Sequence, residues 1–299
     1  MGSYYLITYL GDEVPGLQRS VDSLLDAYNQ ELSLWVPESR ISVFNESPTG
    51  VSLVGTEHFR PNLELARRVT AATGGAYDPT VAPLVRYWGF GGGERRPTGA
   101  VDSAEVRALL RLVGVDKLTE RRDSLLKPYP EVRLDLNASA KGYGVDLLHK
   151  LLNQRGRGDH LIDIGGEMRA GGTKAGGQPW NVGIRLPEED VTKVAAAGTL
   201  PLANGRALAT SGNYLSYYEV DGETFSHTIN PRTGFVERNR LLSASVLADD
   251  CATADAYATA CMVLGPEEAR ALIERTAGVE GWFLVRGAAG ELEIVDLVD

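Results

Sequence analysis

The chain is poor in cysteine and histidine, has no long apolar run, and carries more acid than base. Its two cysteines, Cys251 and Cys261, would lie about 15 Å apart along a shared helix, too far for a disulfide. They read as small buried apolar residues. The four histidines, at 58, 149, 160 and 227, are scattered, which argues against a zinc site. No window approaches the ~18 uncharged apolar residues of a spanning helix. Thirty Lys and Arg face 40 Asp and Glu, a net charge of −10, and no basic stripe is present, so nucleic acid is not an expected partner. The Walker, dinucleotide-binding, HExxH and GxSxG motifs are all missing. Met1 to Leu10 lacks the basic region and apolar core of a secretory leader, which leaves the compartment open because a leader is removed on export.

What remains is an ordinary globular composition, 43% hydrophobic and 23% charged over 299 residues, enough to bury a large core in one or two domains. No repeat, linker or low-complexity tract divides it, so residues 1–299 read as a single unit. Residues 3–9 alternate as a strand. Apolar residues from Val14 to Leu32 mark one face of a helix, and further helices read from about Pro61 to Ala72 and from Asp102 to Leu112. Residues 75–93 are too rich in Pro and Gly for regular structure and read as a loop. Strands follow at 160–167, 180–186, 199–220, 242–248, 281–285 and 291–297. Successive strands without intervening helices imply antiparallel pairing, which makes the class α+β.

The chain is organised around Leu134 to Asp146. Val132, Leu134 and Leu136 alternate as a strand, then Val145, Leu148 and Leu152 recur at helical spacing. The period changes between Asn137 and Ser139, and a helix beginning there offers unpaired N–H groups to an anion such as phosphate. Lys141, Gly142, Tyr143 and Gly144 fall in its first turns. Two Gly so early cost about 1 kcal/mol each relative to Ala, so something is expected to approach this backbone closely. A plain strand-to-helix turn reads equally well.

A second signal is Asp255 in a nearly uncharged helix from Ala252 to Leu264, stopped at Gly265 before Pro266. A buried carboxylate needs a partner, and Thr259, four residues on, faces the same way. Oxygen ligands of this kind suit Mg²⁺, especially beside substrate phosphates; an Asp paired with a buried Lys is the alternative.

Together with Met1-Gly2-Ser3, the Ser-rich turn from Ser33 to Asn45, Gly74 to Thr80, Trp88 to Gly91, Ile164 to Glu167, Thr210 to Gly212 and His227 to Gly234, these segments resemble the ApbE family of FAD:protein FMN transferases, in the family's order. The resemblance implies one α+β unit of two lobes, with mixed or antiparallel sheets, packed helices and a flavin site between the lobes. It implies Mg²⁺ held by Asp255, Thr259 and the carbonyl of Ala140, with Ala258 as a further candidate ligand, and FAD as substrate. Flavin contacts fall on Met1, Trp35, Ala76, Tyr77, Asp78, Asn137, Tyr143 and Ile229. His227 matches the family's required histidine and is the expected base, and Lys141 the stabiliser of departing charge. Trp35 stands where the family often has Tyr, Asn137-Ala138 replaces a Gly pair, Asp163 an Asn, and Asn230 an Asp. The implied reaction is Mg²⁺-dependent transfer of FMN from FAD to a threonine hydroxyl of an acceptor protein, with release of AMP. The competing readings are an FAD pyrophosphatase and a flavin carrier. Implied acceptors are subunits of Nqr- or Rnf-type membrane redox complexes and nitrous oxide respiration regulators. The implied location is periplasmic, with a lipoprotein anchor on the inner membrane before leader trimming.

Overall fold

The computed structural model describes residues 2–90, 101–185, 196–213, 217–220, 223–226, 228–287 and 291–297. Strand β1 (Tyr5–Tyr9) leads to helix α1 (Leu17–Leu32) and the short α2 (Arg40–Glu46), then β2 (Gly50–Ser52), α3 (Phe59–Ala72), α4 (Ala82–Tyr87) and α5 (Ser103–Leu110). Small strands β3 (Thr119–Arg121) and β4 (Ser124–Leu126) precede α6 (Asn137–Gln154). A run of strands follows: β5 (His160–Ile164), β6 (Glu167–Gly171), β7 (Trp180–Arg185), β8 (Ala196–Leu202), β9 (Ala207–Gly212), β10 (Tyr217–Val220), β11 (Glu223–Ser226) and β12 (Leu241–Ala248). The long α7 (Cys251–Glu274), β13 (Glu280–Arg286) and β14 (Leu292–Leu297) complete the α+β fold.

A seven-stranded sheet in the order β1-β5-β6-β9-β12-β13-β14 forms the frame, and every pairing in it is antiparallel. Alternation sorts its two faces. Ala209, Ala244, Val246 and Phe283 join the main core with the alanines of α7. Leu208, Leu247 and Trp282 pack instead with Trp180, Val182 and Leu202 of the β7–β8 hairpin. Helix α6 lies across α7 and β5, and its Val145, Leu148 and Leu152 pack with Leu17, Val21 and Leu25 of α1.

Two readings from the sequence are corrected here. Residues 132–136 alternate in burial but form no ladder. Their polar groups are satisfied from afar: Asn45 donates from Nδ2 to Leu134 O at 2.9 Å and accepts Leu134 N–H at 2.7 Å, and Asp135 N–H reaches Pro79 O at 2.7 Å. The expected loop contains α4, which starts around Pro83 where a missing N–H costs nothing. The helix that begins at Cys251 breaks at Gly265 (φ 73°, ψ 173°), as the sequence expects, and a second helical segment follows from Pro266 to Glu274. Asn239 staples that break by donating to Met262 O at 2.9 Å. Cys251 and Cys261 are free and buried.

Two histidines fall in the fold and outside the site. His160 Nδ1 lies 2.6 Å from Arg157 O, which can only accept, so that nitrogen carries the proton. His160 Nε2 therefore accepts from His149 Nδ1 at 2.9 Å, and His149 Nε2 accepts from the Asn153 amide at 3.0 Å. Burial first, then the charge of Arg169, pushes His149 down to about 4. Because the folded state resists this proton, the unfolded chain takes it up first as pH falls below about 6.5. Wild type should therefore lose stability relative to His149→Gln as pH falls from 6.5 to 4, read as diverging urea midpoints. A constant difference across that window would show that His149 is not held neutral.

Candidate active site

The site forms where α6 and α7 cross. Gly142 lets them touch: a Cβ there would sit 2.8 Å from Ala252 Cα, against α7 backbone. The backbone that approaches the early glycine is thus the protein's own helix. Asp146, one turn further along α6, accepts Cys251 N–H at 2.9 Å and Ala252 N–H at 3.0 Å, and Asp250 accepts Thr253 N–H at 2.8 Å. These carboxylates satisfy the first N–H groups of α7 and match its positive end. The crossing brings Gly142 N–H to Asp255 Oδ2 at 3.1 Å.

Asp255 opens into a cavity of about 660 Å³. Its polar lining is Asp135, Asn137, Lys141, Glu167, Thr210, Ser211, Asp255 and Thr259, and its apolar lining includes Val81, Val85, Phe90, Ile229, Pro231 and Val263. Helix α6 starts at this wall, and its Asn137 N–H is taken by Asp135 Oδ1 at 2.9 Å. Thr259 lies 3.3 Å from the Ser211 hydroxyl on β9. The turn that brings in Ile229 and Pro231 is closed by Gly234 N–H to Asn230 O at 2.8 Å and pinned by the Trp88 indole, which donates to Gly234 O at 2.7 Å. Asn230 serves that turn, accepting Arg232 N–H at 2.8 Å and donating to Glu237 at 2.6 Å.

The electrostatics centre on three groups. Lys141 Nζ pairs with Glu167 Oε1 at 2.5 Å. Glu167 is 2% exposed and Asp255 3%. Burial raises the Glu167 carboxyl, Asp255 raises it further, and Lys141 opposes both. Burial raises Asp255 against the pull of Lys141 and the Gly142 N–H. Burial also works against the Lys141 charge, but Asp255 and Glu167 outweigh it and hold the ammonium above its usual range. Two buried carboxylates share one ammonium, and among the described residues Glu167 Oε2 is buried without a partner. A divalent cation would correct that excess, so the donor set fits the Mg²⁺ that the resemblance implies. Among the described residues no three His, Cys, Asp or Glu side chains cluster as a metal site; hydroxyl, carbonyl or substrate oxygens would complete the shell.

The cavity therefore unites Ala76, Tyr77, Asp78, Asn137, Lys141, Ile229, Asp255 and Thr259 from the sequence reading. Several of these are tied by their own structure. The Asp78 carboxylate accepts Thr80 N–H at 2.8 Å, the Thr80 hydroxyl at 2.5 Å and Val115 N–H at 3.1 Å, so it staples the wall. Tyr77 is 2% exposed and donates to Ser139 at 3.2 Å. Ala140 and Ala258 do not line the cavity, and the Ala140 carbonyl accepts the Tyr28 hydroxyl at 2.6 Å. Tyr143 stacks on Tyr28, with ring centroids 5.8 Å apart, away from the cavity. Trp35 is 81% exposed and also lies off the lining. Met1 and His227 fall outside the described residues. Glu167 and Asp135 were not among the expected site residues, although both stand in segments that carried the resemblance.

The antiparallel α+β frame and its helix crossing thus bring one ammonium and two buried carboxylates into a cavity that apolar side chains also line. The sequence pattern of the ApbE family matches residues 1–283, and the chain belongs to that family. It is 36% identical over 283 residues to the FAD:protein FMN transferase of Vibrio cholerae serotype O1, covering 92% of this chain and 82% of that one. With the enzyme of the same name from Escherichia coli K12 it shares 35% identity over 263 residues, covering 87% and 74%. The solved flavin transferase ApbE from Vibrio cholerae superposes with a TM-score of 0.85 at 32% identity, over 99% of this chain and 94% of that one. The apo flavinyl transferase ApbE of Pseudomonas stutzeri gives 0.85 at 33% identity, over 99% and 92%.

The crossing is tested directly by Gly142→Ala. The added methyl must push α7 away, and the expected cost in urea denaturation is about 1–3 kcal/mol. Unchanged stability would mean that the helices separate freely.

Proposed function

We propose that the protein is an FAD:protein FMN transferase: it moves FMN from FAD to a threonine hydroxyl of an acceptor protein and releases AMP. The observation that carries this reading is the cavity itself, lined by Lys141, Asp255 and Glu167 together with apolar side chains, in a member of the ApbE family. The apolar lining of Val81, Val85, Phe90 and Ile229 suits a flat ring system, and the polar lining suits a pyrophosphate.

In this scheme the acceptor hydroxyl attacks the phosphorus on the riboflavin side. The new P–O bond forms as the bond to the AMP phosphate breaks, and AMP leaves with that electron pair. Lys141 stabilises charge on the pyrophosphate, aided by the positive end of α6. Asp255, held by the Gly142 N–H, and the Thr259 hydroxyl would hold Mg²⁺. When bound, that ion supplies Lewis-acid stabilisation of the phosphoryl charge. His227 is proposed as the base on the resemblance alone, with an unperturbed imidazole pKa of about 6.5 suiting proton uptake near neutrality. The acceptors of Nqr, Rnf or nitrous oxide respiration type, and a periplasmic, lipid-anchored location, belong to the same proposal. No helix among the described residues is long and apolar enough to cross a membrane.

Incubation with FAD and Mg²⁺, with and without a peptide bearing the acceptor threonine, tests the reaction by AMP release and peptide mass. A peptide heavier by one FMN is the expected result; AMP without modification would replace transfer with pyrophosphatase activity, and intact FAD in both would leave a carrier. Asp255→Ala should abolish Mg²⁺-dependent turnover, and activity at the wild-type level would remove Asp255 from the metal site.

A further inference from the structure

Glu167 has no part in the scheme above, yet its burial demands a reason. It sits on β6 directly after the Gly165-Gly166 turn, whose φ values of 64° and 106° suit glycine. That turn is fixed by Gly166 N–H to Asp163 Oδ1 at 2.8 Å, and β6 holds Glu167 opposite Ile164 of β5. A carboxylate on so rigid a mount is costly to bury. Its Oε1 pairs with Lys141 at 2.5 Å, and Oε2 has no partner among the described residues.

Lys141 has two anions to choose between. Both Asp255 and Glu167 act on its charge, but among the described residues its ion pair is with Glu167. The Asp255 carboxylate keeps a single hydrogen bond, from Gly142 N–H to Oδ2, among the described residues. An ammonium on a flexible four-carbon stem readily exchanges one carboxylate for another. Without Glu167 it would settle on Asp255 and occupy the place a cation needs.

We propose that Glu167 is a positioning residue that anchors the Lys141 ammonium away from Asp255, keeping the Asp255 carboxylate open to a divalent cation while Lys141 stays beside it to meet the substrate phosphate. The inference rests on the cation reading of the preceding section. A ligand role or a mere contribution of negative charge would make Glu167 matter whether or not Lys141 is present. Anchoring makes it matter through Lys141.

A double-mutant cycle separates these. Mn²⁺ serves as the probe, its binding to the FAD-saturated protein followed by loss of the free-ion EPR signal in wild type, Glu167→Gln, Lys141→Met and the double variant. With Lys141 present, Glu167→Gln should weaken Mn²⁺ binding by about tenfold or more; with Lys141→Met already in place, the same change should cost about threefold or less. Equal losses in both backgrounds would overturn the anchoring role and leave the metal site standing. No Mn²⁺ binding by wild type would overturn the cation reading and this inference with it. Should Glu167→Gln fail to fold, Glu167→Asp, too short to reach Lys141 in the same way, replaces it in the cycle with the same expected pattern.

Discussion

The touching backbones of α6 and α7 at Gly142 are the constraint on which the site depends. Two helices in such contact have fixed relative positions, because neither can slide without overlapping the other. The contact turns the Gly142 N–H of α6 towards a carboxylate of α7, and the residue just before it on α6 is Lys141, which supplies the ammonium. The site's central dipole, anion and cation therefore derive their spacing from one missing methyl group. Asp146 strengthens the arrangement, since its carboxylate closes the start of α7 while taking Arg169 at 2.6 Å.

Around that crossing two buried carboxylates share one ammonium. Without a further cation, burial and the nearby Asp255 raise the Glu167 carboxyl to about 8, so near neutrality a proton relieves the excess. Here both carboxylates are mounted rigidly, one on a helix and one on a strand, and both face the same cavity. Their mutual repulsion becomes useful when a cation or a phosphate-bearing ligand with its counterion arrives. The apolar lining is built differently: a Pro-rich segment shaped by Asp78, Thr80 and Val115, and a turn shaped by Asn230, present apolar side chains and keep their own polar groups occupied.

Much of this was legible in the sequence, and the remainder was hidden for physical reasons. The change of period at Asn137 marks the start of α6, and the spacing of Asp255 and Thr259 puts both on the cavity, because helical periodicity is a local property. Residues 132–136 looked like a strand because their burial alternates, but the partner for Leu134 is a side chain 89 positions away, which no local pattern encodes. The two early glycines announced a close approach without saying by what. The roles of Asp78 as a staple of the wall and of Tyr143 in a stack on Tyr28 depend on distant partners that no local pattern shows. Glu167 escaped notice because a carboxylate after a glycine pair looks like any surface turn until its burial is known.

Helix α7 has a consequence for how this site can change over time. From Cys251 to Cys261 its buried positions are alanine or cysteine apart from Asp255 and Tyr257, and most of them join the main core. The geometry of the carboxylate is thus encoded by side chains that are nearly absent. Such a surface offers selection little to improve, since every enlargement lifts the helix and carries Asp255 with it. Variation there is confined to a narrow alphabet of small residues, while the apolar lining of the cavity, made of larger and separately anchored side chains, is free to be rebuilt for a differently shaped ligand.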